Sequence, residues 1–401
     1  MQDQYYSQKL NRYFPTRLDF LLYAHDGRGL GHISRTVGVG LALKRLYPEK
    51  TILIISGSSA TGMLIGPAAL DWIKLPSYQT VLKGGVSEGQ TGNAGFYKSV
   101  LGRLRAQMLR SMVDILRPRC VLVDHNPAGK RDELIEALQH SADNDCCWVL
   151  GLRGIIGDDR QLWSEKTASL VSRHYQEVLW YGDSKALGTE PVEKISRHFD
   201  KEVQTTGYVS RLQELKPYLV GSRKVETAQL ACTISLPWLG EHTEKLWQSL
   251  YKAAKDCGPE RGKWHLYVPG EEIDDMKELF AELSFCIIKP ISEHYLTSLL
   301  HSKIALIYGG YNSLLDIMAA QIPALIVVRA TKDREQVEHL ERLERLAGNT
   351  WQVVEEQAIT DLLVTQSLQT LFDQPKNSLT GIDINGAEKA AQYLHNCLEQ
   401  S

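Results

Sequence analysis

The stretch "IYGGYNSLLDIMAAQIPALIVV" occupies residues 307–328 and contains the signals of a strand, a tight turn, a helix and a second strand. The first apolar run ends at Tyr308, Gly309 and Gly310 allow a tight turn, and Pro323 stops the intervening helix. Strands that are apolar throughout and alternate with helices are typical of a parallel sheet that is covered on both faces. The stretch therefore predicts a doubly wound α/β domain.

The same alternation extends in both directions along the chain. Short apolar runs predict one set of strands before residue 205 and a second set after residue 224. The first set is 20–24, 51–56, 120–124, 147–152 and 177–182, and the second set is 230–237, 264–268, 284–290, 303–310 and 324–328. Longer amphipathic segments between these runs predict helices. The fold class that follows is α/β, with two doubly wound, Rossmann-like domains and a ligand at the carboxyl ends of their strands.

A polar segment at 205–224 separates the two sets and is interpreted as the connection between domains. We predict an N-terminal domain at 1–208, a C-terminal domain at 225–384, and a terminal helix at 385–401 that packs back on the first domain. A chain of 401 residues is long enough for two domains with sizeable cores.

Charge, apolar runs and cysteine content narrow the classes of partner and the cellular location that are expected for this chain. With 45 basic and 48 acidic residues the formal net charge is -3, which argues against nucleic acid as a partner. The sequence has no signal-peptide pattern, no run of ~18 apolar residues, and seven cysteines without a regular framework, so we predict a cytoplasmic protein. The basic amphipathic stretch 98–119 suits peripheral docking on anionic lipid; a surface helix with one face in the core is the alternative.

The turn after the strand at 303–310 is the best candidate for a phosphate site. We predict that Asn312 or Ser313 caps a helix that runs to about Gln321, because both are good N-cap residues. The unpaired N–H groups of a helix N-terminus attract phosphate without a metal. Asp316 follows Ser313 by three residues and could accept hydrogen bonds from ribose hydroxyls. The alternative is that Ser313 and Asp316 form a capping box and bind nothing.

The segment after the strand 324–328 adds three polar candidates. Arg329 leaves the carboxyl end of that strand and has the forked donors that suit a phosphate. Glu335 and Gln336 open the next helix and offer the acceptors and donors that sugar hydroxyls require. The alternatives are a solvated surface charge for Arg329 and a favourable charge at a helix start for Glu335.

A second candidate site lies in the first domain, in "HDGRGLGHISRT" at 25–36. His32 is the leading candidate for a general base, and Asp124 at the end of another strand could orient it. His125 is adjacent to Asp124 and competes for the role. Without further context, a loop histidine is more often a structural hydrogen-bonding residue than a base. A dehydrogenase is disfavoured, because the three glycines lack the GxGxxG spacing.

Several motifs together resemble GT-B glycosyltransferases, most closely a bacterial family of predicted glycosyltransferases related to the group of the peptidoglycan N-acetylglucosaminyltransferase. They are "GLGHISR", "ISGS", "IKLPS", "VLVDHNPAGKRDEL", "LGLRG", "WYGD", "TTGYV" and "GGYNSLLDIMAAQIPALIVVR…REQ", which run in order from about residue 20 to 348. The resemblance implies a GT-B fold, with the two domains facing across a cleft, and transfer of a sugar from a nucleotide-diphospho sugar.

The resemblance also implies roles for individual residues. It implies diphosphate binding at Gly309, Gly310, Asn312 and Ser313, ribose binding at Asp316 where relatives usually carry Glu, and donor-sugar binding at Glu335 and Gln336. It implies a catalytic histidine at the position of His32. The residues assigned to the acceptor are Gly29 and Gly31, which leave room for it to approach His32, together with His125 and Asn126. For Asn126 the alternative is an ordinary polar helix start. One departure is the loop "SLPWLGEH" at 235–242, which is glycine-rich in many relatives.

The function expected from the sequence is an inverting, metal-independent transferase that moves a hexose or N-acetylhexosamine from a UDP-sugar to an acceptor hydroxyl. No cofactor is expected beyond the nucleotide-sugar co-substrate, and the acceptor is a small molecule or a glycolipid. "DND" at 143–145 resembles a metal-binding DxD, but its position between a helix and a strand favours a turn. The alternatives are a nucleotide-sugar epimerase or hydrolase on the same fold and a non-catalytic sugar-nucleotide binding protein.

Overall fold

The structure is a computed structural model that describes residues 17–25, 30–83, 86–90, 94–141, 145–157, 159–220, 230–237, 242–292, 294–329, 335–375 and 381–399. The chain divides into two compact units. The N-terminal unit contains the described residues up to Glu214 and those from Asn385 onward, and the C-terminal unit is Leu215–Ile384. The predicted terminal segment thus belongs to the N-terminal unit.

The N-terminal unit is built on nine strands and the helices that connect them. Its strands are β1 Phe20–Ala24, β2 Ile52–Ser56, β3 Asp71–Lys74, β4 Gln79–Lys83, β5 Val86–Gln90, β6 Cys120–Asp124, β7 Cys147–Arg153, β8 Glu177–Tyr181 and β9 Val203–Thr205. Its helices are α1 Gly31–Leu46, α2 Thr61–Ile65, α3 Lys98–Leu116, α4 Ile135–His140, α5 Glu165–His174, α6 Ser184–Leu187, α7 Glu190–Phe199, and α8 Arg211–Val220, which crosses the boundary between units.

Seven of these strands form a parallel sheet in the order β3-β2-β1-β6-β7-β8-β9. The central strands are buried on both faces, which is why their sequences are apolar throughout rather than alternating. The strand order reverses between β1 and β6, where Ala24 lies beside Asp124. Ligands of open α/β sheets bind outside the carboxyl ends of the strands at such a reversal. β4 and β5 pair with each other in an antiparallel ribbon outside this sheet.

The last helix of the chain is part of the N-terminal unit. It is α15, Gly386–Glu399, which packs along α1 and against β6 and β7. Gly386 donates its backbone N–H to the Tyr208 carbonyl at 3.0 Å, and a β-carbon on Gly386 would lie 2.3 Å from the Gly207 carbonyl oxygen. The segment interpreted as a polar connection therefore begins inside the core of this unit, where Thr206 and Tyr208 are fully buried.

The C-terminal unit repeats the architecture. Among its described residues the strands are β10 Leu230–Ser235, β11 Trp264–Val268, β12 Cys286–Pro290, β13 Ser302–Tyr308, β14 Ala324–Val328 and β15 Trp351–Glu355. They form a parallel sheet in the order β12-β11-β10-β13-β14-β15. Its helices are α9 Thr243–Cys257, α10 Ile273–Leu279, α11 His294–His301, α12 Tyr311–Ala320, α13 Glu335–Ala347 and α14 Asp361–Phe372. The order reverses between β10 and β13, whose carboxyl ends lead into the "SLPWLGEH" loop and the "GGYNS" turn.

Two parallel sheets with helices between their strands confirm the α/β, doubly wound fold class. The predicted cap of the helix after the "GG" turn is wrong. α12 begins at Tyr311 with Gly310 as its N-cap, and no side chain caps it. Ser313 therefore lies inside the first turn, so a capping box between Ser313 and Asp316 is also excluded. Within the described ranges, none of the helices combines the length and hydropathy that a bilayer crossing requires.

Candidate active site

The reversal between β1 and β6 brings together two sequence-predicted residues. Asp124 is the last residue of β6 and is 1 % exposed, and His32 lies in the first turn of α1. The His32 Nδ1 atom is 2.6 Å from Asp124 Oδ2, although the two residues are 92 positions apart. The His32 side chain remains 19 % exposed, so a ligand has access to the ring. The predicted pairing of these two side chains is therefore present.

A third side chain completes this group. Arg35 donates from Nε to Asp124 Oδ1 at 3.0 Å and from Nη2 to Asp124 Oδ2 at 2.9 Å. Such a two-pronged arrangement is a strong form of hydrogen bonding to a carboxylate. The sequence analysis missed Arg35; its spacing of three residues after His32 on one helix was the available signal.

The contacts fix which nitrogen of His32 carries a proton. Arg35 Nη2 is 3.1 Å from His32 Nδ1, but it donates to Asp124, and an arginine has no acceptor to offer. Asp124 is an acceptor when ionised, so the Nδ1–H of His32 donates to it. The Nε2 atom of the neutral ring then carries the lone pair. This is the arrangement of a general base and its orienting carboxylate.

The electrostatics keep both partners in the required state. Burial alone would raise the pKa of Asp124, but the charge of Arg35 and the hydrogen bond from His32 outweigh it and hold that pKa well below its usual range. Burial lowers the pKa of His32, and the hydrogen bond to Asp124 opposes this effect without cancelling it. At neutral pH, Asp124 is therefore ionised and His32 is neutral.

Two further imidazoles flank His32. The ring centroid of His25 lies 4.0 Å from that of His32, and the ring centroid of His125 lies 5.6 Å from it. Burial is the main cause that lowers the pKa of His25 well below its ordinary value and the pKa of His125 to about 4. The Nδ1 atoms of His25 and His125 are both buried without a hydrogen-bond partner among the described residues. All three rings are therefore neutral near pH 7.

His125, the competing base candidate, has a weaker carboxylate partner. Its Nε2 atom is 3.7 Å from Asp159 Oδ2, which is beyond ordinary hydrogen-bond distance. Its backbone adopts a left-handed φ of 66°, and its N–H donates to the Gly151 carbonyl at 2.7 Å. The shorter contact and the two-pronged clamp on Asp124 favour His32 over His125 as the base.

Two of the remaining acceptor-side candidates lie next to the histidines of this group in the chain. Gly31 is the first residue of α1, where an added β-carbon would lie 3.5 Å from Arg35 Nη1. Asn126 follows His125 and is half-buried; its backbone N–H donates to the Asp124 carbonyl at 2.8 Å. Gly29 lies outside the described residues, as do Asp143 and Asn144 of "DND". Across the described part of the chain, no group of three or more His, Cys, Asp or Glu side chains is arranged to hold a metal.

A buried ion pair connects α3 to Glu133 in the same unit. Arg105 of α3 donates from Nη2 to Glu133 Oε1 at 2.7 Å, and both side chains are fully buried. Tyr23 of β1 also donates its hydroxyl to Glu133. Arg105 therefore faces the core, although sequence analysis counted it within a basic amphipathic stretch. The buried face of α3 is Leu101, Arg105, Leu109 and Val113, which matches the core-facing alternative for this helix.

The C-terminal unit carries the predicted phosphate turn at its own strand-order reversal. Gly309 follows β13, and an added β-carbon would lie 3.3 Å from Ile326 of β14, so a larger residue would crowd the neighbouring strand. A β-carbon on Gly310 would meet nothing within 4 Å, which leaves open space over the turn. Asn312 and Ser313 are half-buried in the first turn of α12. Their backbone N–H groups belong to the set that a helix N-terminus leaves for a ligand.

The other predicted donor-side residues lie around this turn. Asp316 is buried one turn along α12, at 8 % exposure. The Arg329 guanidinium lies 5.7 Å from the centroid of the Tyr308 ring, at the carboxyl ends of β13 and β14. Glu335 and Gln336 open α13 as predicted, and their side chains lie outside the described part. The Tyr311 ring stacks on buried His339 of α13 at 5.4 Å, a contact that the sequence analysis missed.

Comparison of the sequence with protein-family profiles gives no match, and neither does comparison with curated protein sequences. Solved structures do match the fold. MurG of Acinetobacter baumannii is 12% identical, with 96% of this chain and 99% of that chain covered and a TM-score of 0.51. The calicheamicin glycosyltransferase CalG4 is 15% identical, with 96% and 99% covered and a TM-score of 0.57. A UDP-GlcNAc 2-epimerase from Neisseria meningitidis bound to UDP-GlcNAc is 14% identical, with 95% and 100% covered and a TM-score of 0.58.

These similarities cover nearly the whole length of each chain at low sequence identity. Together with the two parallel sheets, they establish the GT-B fold that the sequence motifs predicted. At this identity they establish the fold alone, because one fold hosts many activities. The activity of this chain depends on the side chains at its two strand-order reversals.

Proposed function

We propose that this protein is a glycosyltransferase that moves a hexose or N-acetylhexosamine from a nucleotide-diphospho sugar to an acceptor hydroxyl, with inversion and without a metal. The observation that supports it most is the His32–Asp124–Arg35 group. A neutral imidazole whose Nδ1–H donates to an ionised carboxylate at 2.6 Å has its second nitrogen ready to take a proton.

The proposed reaction is a single displacement. His32 Nε2 removes the proton of the acceptor hydroxyl while the oxygen attacks the anomeric carbon, and the bond from that carbon to the diphosphate breaks. The charge that develops on the His32 ring is stabilised by Asp124, which Arg35 keeps ionised. The electron pair of the broken bond leaves with the nucleoside diphosphate. A single displacement inverts the anomeric configuration.

The C-terminal unit would supply the nucleotide-sugar site. The N-terminus of α12 suits the diphosphate, because preorganised N–H dipoles stabilise developing negative charge without a metal. Asp316 is proposed to bind the ribose. The residues proposed for the donor phosphates and sugar are Gly309, Gly310, Asn312, Ser313, Arg329, Glu335 and Gln336. The glycosyltransferase and UDP-GlcNAc-bound neighbours of this fold make a UDP-sugar the first donor to test.

A second candidate function is a nucleotide-sugar epimerase or hydrolase. It is favoured by the likeness to a UDP-GlcNAc 2-epimerase over 95% of this chain. The two activities differ in their products: a transferase needs an acceptor, an epimerase returns an altered nucleotide sugar without one, and a hydrolase releases free sugar. A protein that binds the nucleotide sugar and gives none of these products would be a non-catalytic binding protein.

A panel of UDP-, dTDP- and GDP-sugars, each with and without saccharide, polyol and glycolipid acceptors, tests the proposal. Nucleotide release and product mass are measured for the native chain and for His32→Ala. Acceptor-dependent release that is lost in His32→Ala is the expected result. Release or epimerisation that is independent of every acceptor would assign the second function instead. Asp316→Ala should weaken donor binding at the C-terminal site, and unchanged donor affinity would remove Asp316 from the ribose.

We also propose that the N-terminal unit contacts a membrane surface. An apolar patch of Phe96, Tyr97 and Val100 is exposed where α3 begins, and Tyr97 is 80% exposed. The positively charged side chain of Arg103 is also exposed on this helix. Such a patch suits peripheral binding to anionic lipid. A glycolipid acceptor would require the protein to reach the membrane surface. Co-sedimentation with phosphatidylglycerol vesicles, compared between the native chain and Tyr97→Ser, tests this part: equal binding of both would exclude the patch.

A further inference from the structure

His25 directly follows β1 and has no role in the reaction described above. Its ring lies 4.0 Å from the ring of His32 at an angle of 46°, and the described residues offer it no hydrogen bond. Its Nδ1 atom is buried without a hydrogen-bond partner among the described residues. An imidazole packed against a candidate base with its buried nitrogen unpaired in this way needs an explanation.

The tautomer of His25 follows from this environment. Burial and the neighbouring His32 keep the ring neutral at pH 7 by lowering its pKa, so the ring carries one N–H. Either tautomer leaves the buried Nδ1 unpaired, but an orphaned buried N–H is rarer in proteins than an orphaned buried acceptor. Of the two ring nitrogens, only Nδ1 is both buried and unpartnered. The proton therefore belongs on Nε2, and His25 presents a donor there.

His32 has the opposite tautomer. Asp124 fixes the proton of His32 on Nδ1, so its Nε2 presents a lone pair. The two packed rings thus carry one acceptor nitrogen, on His32 in the first turn of α1, and one donor nitrogen, on His25 directly after β1. A simple alcohol would use only the lone pair of His32. An acceptor with a second oxygen on the next carbon would use both, because its two oxygens lie close enough together to reach two rings in contact.

We propose that His25 is an acceptor-binding residue that donates from Nε2 to a second oxygen, on the carbon next to the reacting hydroxyl. The acceptor class that this selects is a vicinal diol, as found in saccharides and cyclitols. The inference rests on the proposed function, because it takes His32 as the group that binds the reacting hydroxyl.

Two small probes test the proposal without knowledge of the natural acceptor. The binding of cis-1,2-cyclohexanediol and of cyclohexanol is measured on the full chain by the side-chain ¹⁵N resonances of labelled histidine. One net hydrogen bond corresponds to a preference of roughly 3- to 10-fold for the diol. His25→Phe keeps a flat ring and removes the nitrogens, so the preference should fall to about 1. His25→Gln carries an amide N–H in its place and should restore part of the preference.

His140→Phe is the matched control, since this histidine is half exposed on α4 of the same unit and should leave the preference unchanged. Thermal unfolding checks that each variant is folded. An equal diol preference in the native chain and His25→Phe, or no preference in the native chain, overturns the assignment.

Transfer to the same two probes, measured with the UDP-sugar panel, separates this inference from the proposed function. A diol preference that depends on His25 while no sugar is transferred from any donor would contradict the proposed function and leave the diol site in place. Transfer whose acceptor preference is unchanged in His25→Phe would leave the proposed function in place and remove His25 from the acceptor site.

Discussion

Replacing Asp124 by asparagine is the sharpest perturbation of the proposed base. Both carboxylate oxygens accept hydrogen bonds, Oδ2 from His32 and Arg35 and Oδ1 from Arg35. An asparagine amide must turn its NH₂ group toward one of these donors. If it faces His32, the ring must accept at Nδ1 and carry its proton on Nε2, where it can no longer act as a base. If it faces Arg35, that residue loses a partner.

The size of the effect follows from the contact that is lost. A hydrogen bond to a charged group contributes about 1.5–3 kcal/mol, and here it strengthens as His32 gains charge in the transition state. Asp124→Asn should therefore lower kcat/KM by about 10- to 150-fold, at 1.36 kcal/mol per tenfold change. Initial rates of nucleotide release, corrected for the folded fraction by circular dichroism, measure this.

The matched control is Asp159→Asn, which removes the carboxylate 3.7 Å from His125 and leaves the His32 pair intact. It should change kcat/KM by less than about 3-fold, because the Asp159 side chain is 35% exposed and lies beyond ordinary hydrogen-bond distance from His125, so its contribution is small. A loss below about 3-fold for Asp124→Asn would refute the role of this carboxylate. A larger loss for Asp159→Asn than for Asp124→Asn would make His125 the base.

Three further predictions concern pH, the buried ion pair and the terminal helix. Burial lowers the pKa of His32, so this base stays neutral below pH 6.5. The value of kcat/KM should therefore hold its plateau through pH 6.5 and fall only on further acidification. A midpoint above 6.5 in the pH–rate profile would contradict this. Arg105→Ala leaves Glu133 buried without its charge partner and should lower the free energy of unfolding by about 3–5 kcal/mol in urea titrations. A loss of less than about 1 kcal/mol would contradict this role of the ion pair. Gly386→Ala forces a β-carbon against a backbone oxygen and should lower the free energy of unfolding by about 2 kcal/mol. Gly270→Ala, where an added β-carbon meets nothing within 4 Å, should change the free energy of unfolding by no more than about 0.5 kcal/mol. Equal effects of the two substitutions would be inconsistent with the tight docking of α15.

The fold could be predicted because its strands are buried on both faces. The runs at 120–124 and 264–268 are apolar apart from Asp124 and His265, and the strands occupy those same ranges. The start of α12 was missed by two or three residues because Gly310 serves as the N-cap without a side chain, whereas the prediction relied on capping by Asn312 or Ser313. The helix in the 205–224 segment was missed because that segment contains Pro217, which lies inside α8.

The candidate site was predicted in part. His32 comes shortly after β1 and Asp124 ends β6, and these two strands are neighbours in the sheet. The rule that ligands bind at the carboxyl ends of parallel strands was therefore enough to pair the two residues. Arg35 was missed because its partner is 89 residues away, and only the packing of α1 beside β6 brings it to both carboxylate oxygens. His25 was missed because nothing in its own sequence context reports that its ring packs on His32. Contacts of this kind depend on tertiary geometry that periodicity does not contain.

The removal of the proposed base tests the account most directly. Acceptor-dependent nucleotide release is measured with the best UDP-sugar for the native chain and for His32→Ala, with and without added imidazole. Loss of a general base typically lowers the rate by 10²- to 10⁴-fold, and we expect a loss in that range, partly rescued by imidazole. A folded His32→Ala variant that transfers sugar at the native rate would contradict the assignment of His32 and, with it, the mechanism proposed for this protein.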